Sequence, residues 1–244
     1  MNLEYSFYPE SKTQGFTNID GTISFYKRVN SFLKKDFLVL DVGCGDGESK
    51  SKEQVILRRQ LVNLKGKVKK VIGIDIDKRG QQNPLIDEFK LIEDKAHWPV
   101  KNNSVDLILA DYVLEHFEKP EIFFSESKRV LKNKGQICIR TSNSWNYIVI
   151  LAKLLPANWH KKIIKKSQPK RALKDVYLTF YHCNSFFKLR EMLKKFNFKG
   201  RIIGFESEPR YLNFNAFLYF LGVIHQKIAP AIFRANLFVF VKKV

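Results

Sequence analysis

The sequence predicts an α/β fold in which a mostly parallel sheet carries helices on both faces. Short apolar runs alternate five times with longer amphipathic stretches, the first run feeds directly into a glycine-rich turn, and the second ends on an acidic residue. Phe37 to Leu40 reads as a buried first strand running into Asp41-Val42-Gly43-Cys44-Gly45-Asp46-Gly47. A helix follows, its apolar side built from Val55, Ile56, Leu57, Leu61, Val62 and Leu64. Val71 to Ile74 is the second strand, ending on Asp75, and Phe89 to Ile92, Val105 to Ala110 and Gln136 to Arg140 are the third, fourth and fifth. Helices are expected over Pro84 to Glu88 and over Glu121 to Leu131, the latter stopped at Asn133-Lys134-Gly135. A helix within Gln14 to Leu33, entered at Asp20-Gly21-Thr22, precedes the first strand.

After Arg140 the rhythm changes. Ser185 to Phe196 returns to helical spacing, and Arg201 to Phe205 and Leu237 to Val241 complete a seven-stranded sheet. The stretches Ser142 to Tyr181 and Glu206 to Asn236 read as insertions on that sheet. The whole chain, 1–244, is thus expected to be one domain: a cap over 1–36, a core over 37–142, a basic insertion over 143–181 and a C-terminal part over 182–244 whose segment 206–236 is lid-like.

Composition narrows the function. The 244 residues carry 43 Lys and Arg against 24 Asp and Glu, a formal charge of +19, with 45% hydrophobic residues. That apolar share argues against a disordered tail. Three scattered cysteines with no CxxC pair give neither a disulfide framework nor a zinc site, which fits a reducing compartment, and no metal site is expected. Met1 to Tyr5 show no basic region followed by an apolar run, so no signal peptide is expected, and the apolar run from Tyr211 to Ile224 is shorter than the roughly 20 residues that span a bilayer. Between Leu151 and Gly200, 13 Lys and Arg face 2 Asp and Glu, a net +11. Such a segment suits an anionic substrate, nucleic acid, an acidic membrane leaflet or only water.

The glycines at 43, 45 and 47 let the backbone turn tightly and approach a ligand. Their spacing is not the G-x-G-x-x-G of dinucleotide enzymes, and Glu48-Ser49 does not complete a phosphate loop. The nonamer Val39 to Gly47 resembles motif I of the class I S-adenosylmethionine-dependent methyltransferases, whose fold is Rossmann-like. Four further segments resemble that family in order: Val71 to Asp75, Asp94 to Val100, Ser104 to His116 and Arg129 to Gly135. The resemblance implies S-adenosylmethionine as cofactor, with Gly43, Gly45 and Gly47 cradling its methionine end, Asp75 holding its ribose and Asp94 its adenine. Asp41, Cys44, Ile76, Lys95, Asp111 and Tyr112 complete the implied cofactor set. Cys44 is a small residue between turn glycines, and no Pro-Cys pair marks it as a nucleophile. Outlying segments, including Tyr8-Pro9-Glu10, Arg140 to Asn143 and Tyr181 to Asn184, resemble bacterial methyltransferases that accompany glycosyltransferases in surface-polysaccharide assembly.

An oxygen acceptor benefits from a base that takes its proton as the new bond forms. His116 is the first candidate, with Glu115 beside it, and His182 is the second, because the approach to the helix near Ser185 should return over the same strand ends. The stripe Tyr211, Phe214, Phe217, Leu218, Phe220, Leu221 and Ile224 is expected to pack as a lid over the acceptor, with contact at an anionic membrane surface as the competing reading. The expected reaction is O-methylation of a sugar, glycan or lipid-linked glycan precursor in the cytoplasm, at the inner face of the membrane if that contact holds. An RNA or ribosomal methyltransferase and a non-catalytic partner of an assembly complex are the alternatives, and nucleic acid is disfavoured because no RNA-binding module is visible.

Overall fold

The computed structural model describes residues 3–147, 149–150 and 178–244. The basic stretch from Lys153 to Lys174 and Trp159 lie outside the described residues. Strands β1 (Leu38–Val42), β2 (Lys70–Asp75), β3 (Glu88–Leu91), β4 (Val105–Asp111), β5 (Leu131–Ser142), β6 (Phe198–Phe205) and β7 (Asn236–Lys243) form a seven-stranded sheet ordered β3-β2-β1-β4-β5-β7-β6. Strand β7 runs antiparallel to both neighbours, and the remaining pairings are parallel. The order reverses between β1 and β4, and ligands of such sheets bind beyond the carboxyl ends of the strands at that reversal.

Period-2 alternation sorts each strand's apolar residues to two faces. Leu40, Val42, Ile108, Ile137 and Val239 share one core with Phe123 and Phe124 of α5 (Pro120–Val130) and Leu189 of α6 (Phe186–Lys195). Val39, Val71, Leu107, Leu109, Cys138 and Phe238 share the other with Phe25, Tyr26 and Val29 of α2 (Gly21–Phe32) and Val62 of α4 (Ile56–Val62). Asp20 caps α2 by accepting from the Ile23 N–H at 2.8 Å, and its second oxygen accepts from Arg58 Nε at 2.7 Å, locking α4 to that helix start.

Several elements differ from expectation for local reasons. No helix forms over Pro84 to Glu88: a 3-10 turn over Lys78–Gln82 ends at Asn83, and Glu88 already pairs with Ile72 in β3. Helix α5 stops at Val130, not at the Asn133-Lys134-Gly135 turn, because fully buried Leu131 pairs with Val105 and opens β5 early. The N-terminal segment folds into a short helix, α1 (Leu3–Phe7), and a 3-10 turn over Pro9–Lys12. A four-residue helix, α3 (Glu48–Ser51), follows the glycine turn. The stripe expected as a lid lies partly on α7 (Ala216–Ile228), which buries Tyr219 and Val223 in a cluster with Leu3, Phe7, Tyr8 and Ile19 and Gly222 against Pro209 and Leu212, while leaving Phe217 68% and Ile228 74% exposed. Among the described residues no helix is long and apolar enough to cross a membrane.

Phe123 is fully buried and meets Trp98, Phe117 and Phe124 edge-on at centroid distances of 5.2–5.7 Å. Phe123→Ala is expected to lower unfolding free energy by about 3–5 kcal/mol in urea titration, the range for emptying a large aromatic site; a loss below about 1 kcal/mol would show that this layer collapses to fill the void.

Candidate active site

At the end of β1 the chain turns through Gly43, Gly45 and Gly47 at φ +66°, +54° and +67°, a left-handed run that side chains oppose. A Cβ on Gly43 would lie 2.6 Å from Val113, and one on Gly47 would lie 2.2 Å from Asn83, whereas at Gly45 nothing lies within 4 Å. The turn is therefore walled on two sides and open at its apex. The Gly43 N–H donates to Ile74 O at 2.8 Å, and the Gly45 N–H donates to Asp75 Oδ2 at 2.8 Å. Asp75 Oδ1 accepts from the Asp77 N–H at 2.9 Å, so two backbone donors fix the carboxylate beside the glycine apex. Asn83, absent from the sequence-based set, donates its amide to the carbonyls of Cys44 at 2.9 Å and Gly45 at 3.1 Å and anchors the outer wall.

Beside Asp75, Ile76 is 53% exposed and presents an apolar face. Asp94 accepts from the Ala96 N–H at 2.8 Å, and both Asp94 and Lys95 are exposed. The following Trp98-Pro99-Val100 turn is held by α5: the Trp98 N–H donates to Glu126 at 2.6 Å, and Arg129 donates to the carbonyls of Trp98 and Val100 at 2.9 and 2.7 Å. Cys44 is buried, with its thiol pushed up in pKa by burial, which fits packing and not nucleophilic attack.

Beneath the turn lies a charged cluster that sequence reading only half anticipated. Arg140 Nε and Nη2 donate to the two oxygens of Asp111 at 2.6 and 2.9 Å, Nη1 donates to Thr22 Oγ1 at 3.0 Å, and the guanidinium stacks 4.7 Å from the Tyr112 ring centroid. The Tyr26 hydroxyl donates to Asp111 Oδ2 at 2.8 Å, and Lys50 Nζ stands 3.3 Å from the same oxygen. Burial raises the Asp111 pKa, but Arg140 and Lys50 outweigh it and hold the carboxyl well below the usual range. Asp41 lines a small cavity with Lys50, Tyr26, Asn83 and apolar side chains such as Val62 and Leu109, where burial, opposed by Lys50 and reinforced by Asp111 and Asp75, pushes its pKa to about 6. Tyr112 takes a left-handed φ of +58°, its hydroxyl donating to Asn236 Oδ1 at 2.6 Å. Lys50, Arg140 and Tyr26 were not among the expected site residues. A charged Arg140 ending the otherwise apolar run Ile137 to Ile139 was the available signal.

The acid–base candidates lie one layer outward. His116 Nδ1 meets Leu178 O at 2.7 Å, and His182 Nδ1 meets Glu118 O at 2.7 Å, so the β4 loop and the returning segment clasp each other. A carbonyl only accepts, which puts the proton on Nδ1 of each ring and leaves Nε2 as the basic nitrogen of the neutral form. Glu115 is 4% exposed and turned inward: Oε2 accepts from Thr141 Oγ1 at 2.6 Å, and its backbone carbonyl accepts from the Phe180 N–H at 2.8 Å. Burial raises its pKa, and these hydrogen bonds tie β5 and the returning segment to the β4 loop.

Comparison with known proteins fits this geometry. The family model described as a methyltransferase domain matches residues 22–201. An uncharacterized protein of Methanocaldococcus jannaschii is 36% identical over 110 residues, which cover 45% of this chain and 43% of that protein. The chain thus matches less than half the length of this curated relative. Among solved structures, a methyltransferase in complex with the Haloferax volcanii Trm112 activator aligns with a TM-score of 0.55 at 12% identity over 99% of this chain and 96% of that one. Geranyl diphosphate C-methyltransferase from Streptomyces coelicolor aligns at 0.55 and 13% over 91% and 75%, and an Aquifex aeolicus SAM-dependent methyltransferase at 0.50 and 17% over 99% and 97%.

Two variants test the charged cluster. Asp111→Ala leaves Arg140 buried without its carboxylate and is expected to cost about 3–5 kcal/mol in urea unfolding; a cost under about 1 kcal/mol would contradict the pairing. Asp41 has a folded pKa of about 6, above the roughly 3.9 of an unfolded aspartate. Its contribution is therefore full below about pH 4 and is lost as pH rises through about 6. Asp41→Asn should flatten that descent, so that the variant gains on the wild type between those pH values, and parallel pH profiles would contradict the assignment.

Proposed function

Since the chain belongs to the methyltransferase domain family, with S-adenosylmethionine as cofactor, we propose that it is a transferase that O-methylates a sugar, glycan or lipid-linked glycan precursor. The residues present fit the cofactor: an open glycine apex and a carboxylate fixed beside it offer the backbone approach and the paired acceptor oxygens that its methionine end and ribose need. Gly43, Gly45, Gly47 and Asp41 would hold the methionine end, Asp75 the ribose, and Ile76, Asp94 and Lys95 the adenine. When bound, the cofactor supplies an electrophilic methyl group on a sulfonium.

The observation that carries the choice of an oxygen acceptor is the pair of histidines whose Nδ1 atoms are tied to backbone carbonyls. In that tautomer Nε2 is the ring nitrogen that would take the proton of an attacking hydroxyl, beside the loop after β4. Asp111 and Arg140 neutralise one another and hold the β4 and β5 ends in place, so alignment of the acceptor comes from a rigid floor. A lipid-linked acceptor is supported by the exposed face of α7, where Phe217, Phe220, Leu221 and Ile228 stand outward. An RNA acceptor is the second reading, favoured by the net +11 between residues 151 and 200. The chain as a whole, 1–244, is read as one catalytic unit.

Calorimetric titration with S-adenosylhomocysteine should give saturable binding that Asp75→Ala weakens at least about a hundredfold, the cost of two lost charge-assisted bonds. Unchanged affinity in a folded variant would remove Asp75 from the site. With radiolabelled cofactor, label should pass to lipid-linked glycans or nucleotide-sugars and not to RNA, and the reverse pattern would favour the second reading.

A further inference from the structure

Among the described residues, six buried side-chain polar atoms have no hydrogen-bond partner, and four gather in one region: the hydroxyls of Tyr8, Tyr147 and Tyr219 and Nδ1 of His225. Native interiors rarely leave such atoms unpaired, so a cluster of four asks for a ligand or an ordered water. The groups come from distant parts of the chain. Tyr8 follows α1, Tyr147 follows β5, Tyr219 and His225 lie on α7, and Glu206 follows β6. The rings of Tyr147 and His225 meet at a centroid distance of 4.5 Å, tilted by 58°, and His225 Nδ1 stands 3.8 Å from Glu206 Oε2, which accepts from the Ala235 N–H at 2.6 Å. Tyr8 and Tyr219 share an apolar cluster with Val223, Leu3, Phe7 and Ile19.

The position is the carboxyl edge of the sheet. Strand β7 starts at Asn236, which pairs with Ser142 at the end of β5 and Phe205 at the end of β6 and accepts from Tyr112 at the end of β4. Through Glu206, which accepts from the Ala235 N–H, the four groups stand on this edge, displaced from the cofactor cradle toward β5, β7 and β6.

Its chemistry selects the ligand. Burial raises the Tyr8 pKa to about 12, with Glu208, Glu10, Glu206 and Glu4 adding to it, and burial keeps His225 in its neutral form. A phosphate would need uncommitted cationic donors to hold it. The arginines nearby are already committed: Arg210 to Glu208 at 2.5 Å and Glu4 at 3.2 Å, and Arg234 to the carbonyls of Ala229 and Gly204. A cation would require an ionised carboxylate, but burial pushes Glu206 up to about 7 and Glu208 is spent on Arg210. What remains is a set of neutral groups that donate and accept, flanked by aromatic rings, and a hydroxyl-bearing ring matches both features.

Building on the O-methyltransferase reading, we propose that Tyr8, Tyr147, Tyr219 and His225 form the acceptor-recognition subsite and that it binds a neutral polyhydroxylated ring through its hydroxyls. The N-terminal segment closes it, since Leu3 and Phe7 pack on Tyr8 and Tyr219.

The test uses full-length protein loaded with S-adenosylhomocysteine and the triple variant Y8F/Y147F/Y219F, with Tyr147→Phe alone as the milder version should the triple variant fail to fold. Phenols that await a ligand can be removed without loss, so the melting temperature of the unliganded variant should be unchanged or higher. A fall of more than about 5 °C would mean that the hydroxyls satisfy the fold through ordered water, and would overturn the proposal. Binding is read by saturation-transfer NMR with methyl hexopyranosides of gluco, galacto and manno configuration, against choline and inorganic phosphate. The expected result is a signal from at least one glycoside in the wild type, weakened at least about tenfold in the variant with S-adenosylhomocysteine affinity unchanged. No glycoside signal from cofactor-loaded wild type, a signal retained by the variant, or preference for choline or phosphate would overturn it. Failure of the wild type to bind S-adenosylhomocysteine would instead strike the O-methyltransferase reading on which the subsite rests.

Discussion

The buried pair between Asp111 and Arg140 organises the catalytic end of this protein. It joins the last residue of β4 to β5 across the carboxyl edge, and its remaining hydrogen bonds reach Tyr26 and Thr22 of α2. An isolated charge at either position would be heavily penalised by burial, and the pair survives because the fork of the guanidinium matches both carboxylate oxygens. Three elements that meet in the sheet core are thereby held in one arrangement at their ends. The left-handed turn of Tyr112, stacked under the same guanidinium, starts the loop that carries Glu115 and His116.

A second constraint works from the other side of the switch in strand order. The glycine turn after β1 and the carboxylate at the end of β2 hold each other through the Gly45 N–H, and Asn83 closes the outer wall. Cys44 fits only because Gly73 lies beneath it, where a Cβ would stand 2.8 Å from its sulfur. The cradle and the charged floor are thus built by different strands and share Lys50 and Asp41 between them. Charge is also partitioned. The chain carries +19 overall, yet the floor is internally neutralised, and Glu208, Glu10, Glu206 and Glu4 all act on the buried phenol of Tyr8.

Much of this was legible in the sequence because its causes are local. Strand β2 and its terminal Asp75, the glycine turn and α5 each follow from a short apolar period or a backbone requirement. The expected helix over Pro84 to Glu88 did not form because pairing of Glu88 with Ile72 is a long-range effect that no local period announces. Lys50 and Tyr26 were missed for the same reason: each looks like an ordinary solvated or core residue until α2 and α3 bring it over Asp111. Glu115 was legible as part of the β4 loop, but its inward turn depends on Thr141 and on the return of Phe180 and Tyr181, more than 25 residues along the chain. The apolar stripe after Tyr211 has the spacing of a packed lid, yet only Tyr219, Gly222 and Val223 of α7 are buried, since the short N-terminal segment and Pro209 and Leu212 cover one side of the helix.

A crystal structure with S-adenosylhomocysteine bound tests most directly the placement of a methyl donor beside the two histidines by cradle and floor together. The ribose hydroxyls are expected on the Asp75 carboxylate, the homocysteine end over Gly45, and the sulfur on the side of His116 and His182. A ligand with its ribose on another residue, or a sulfur turned away from both imidazoles, would contradict that placement.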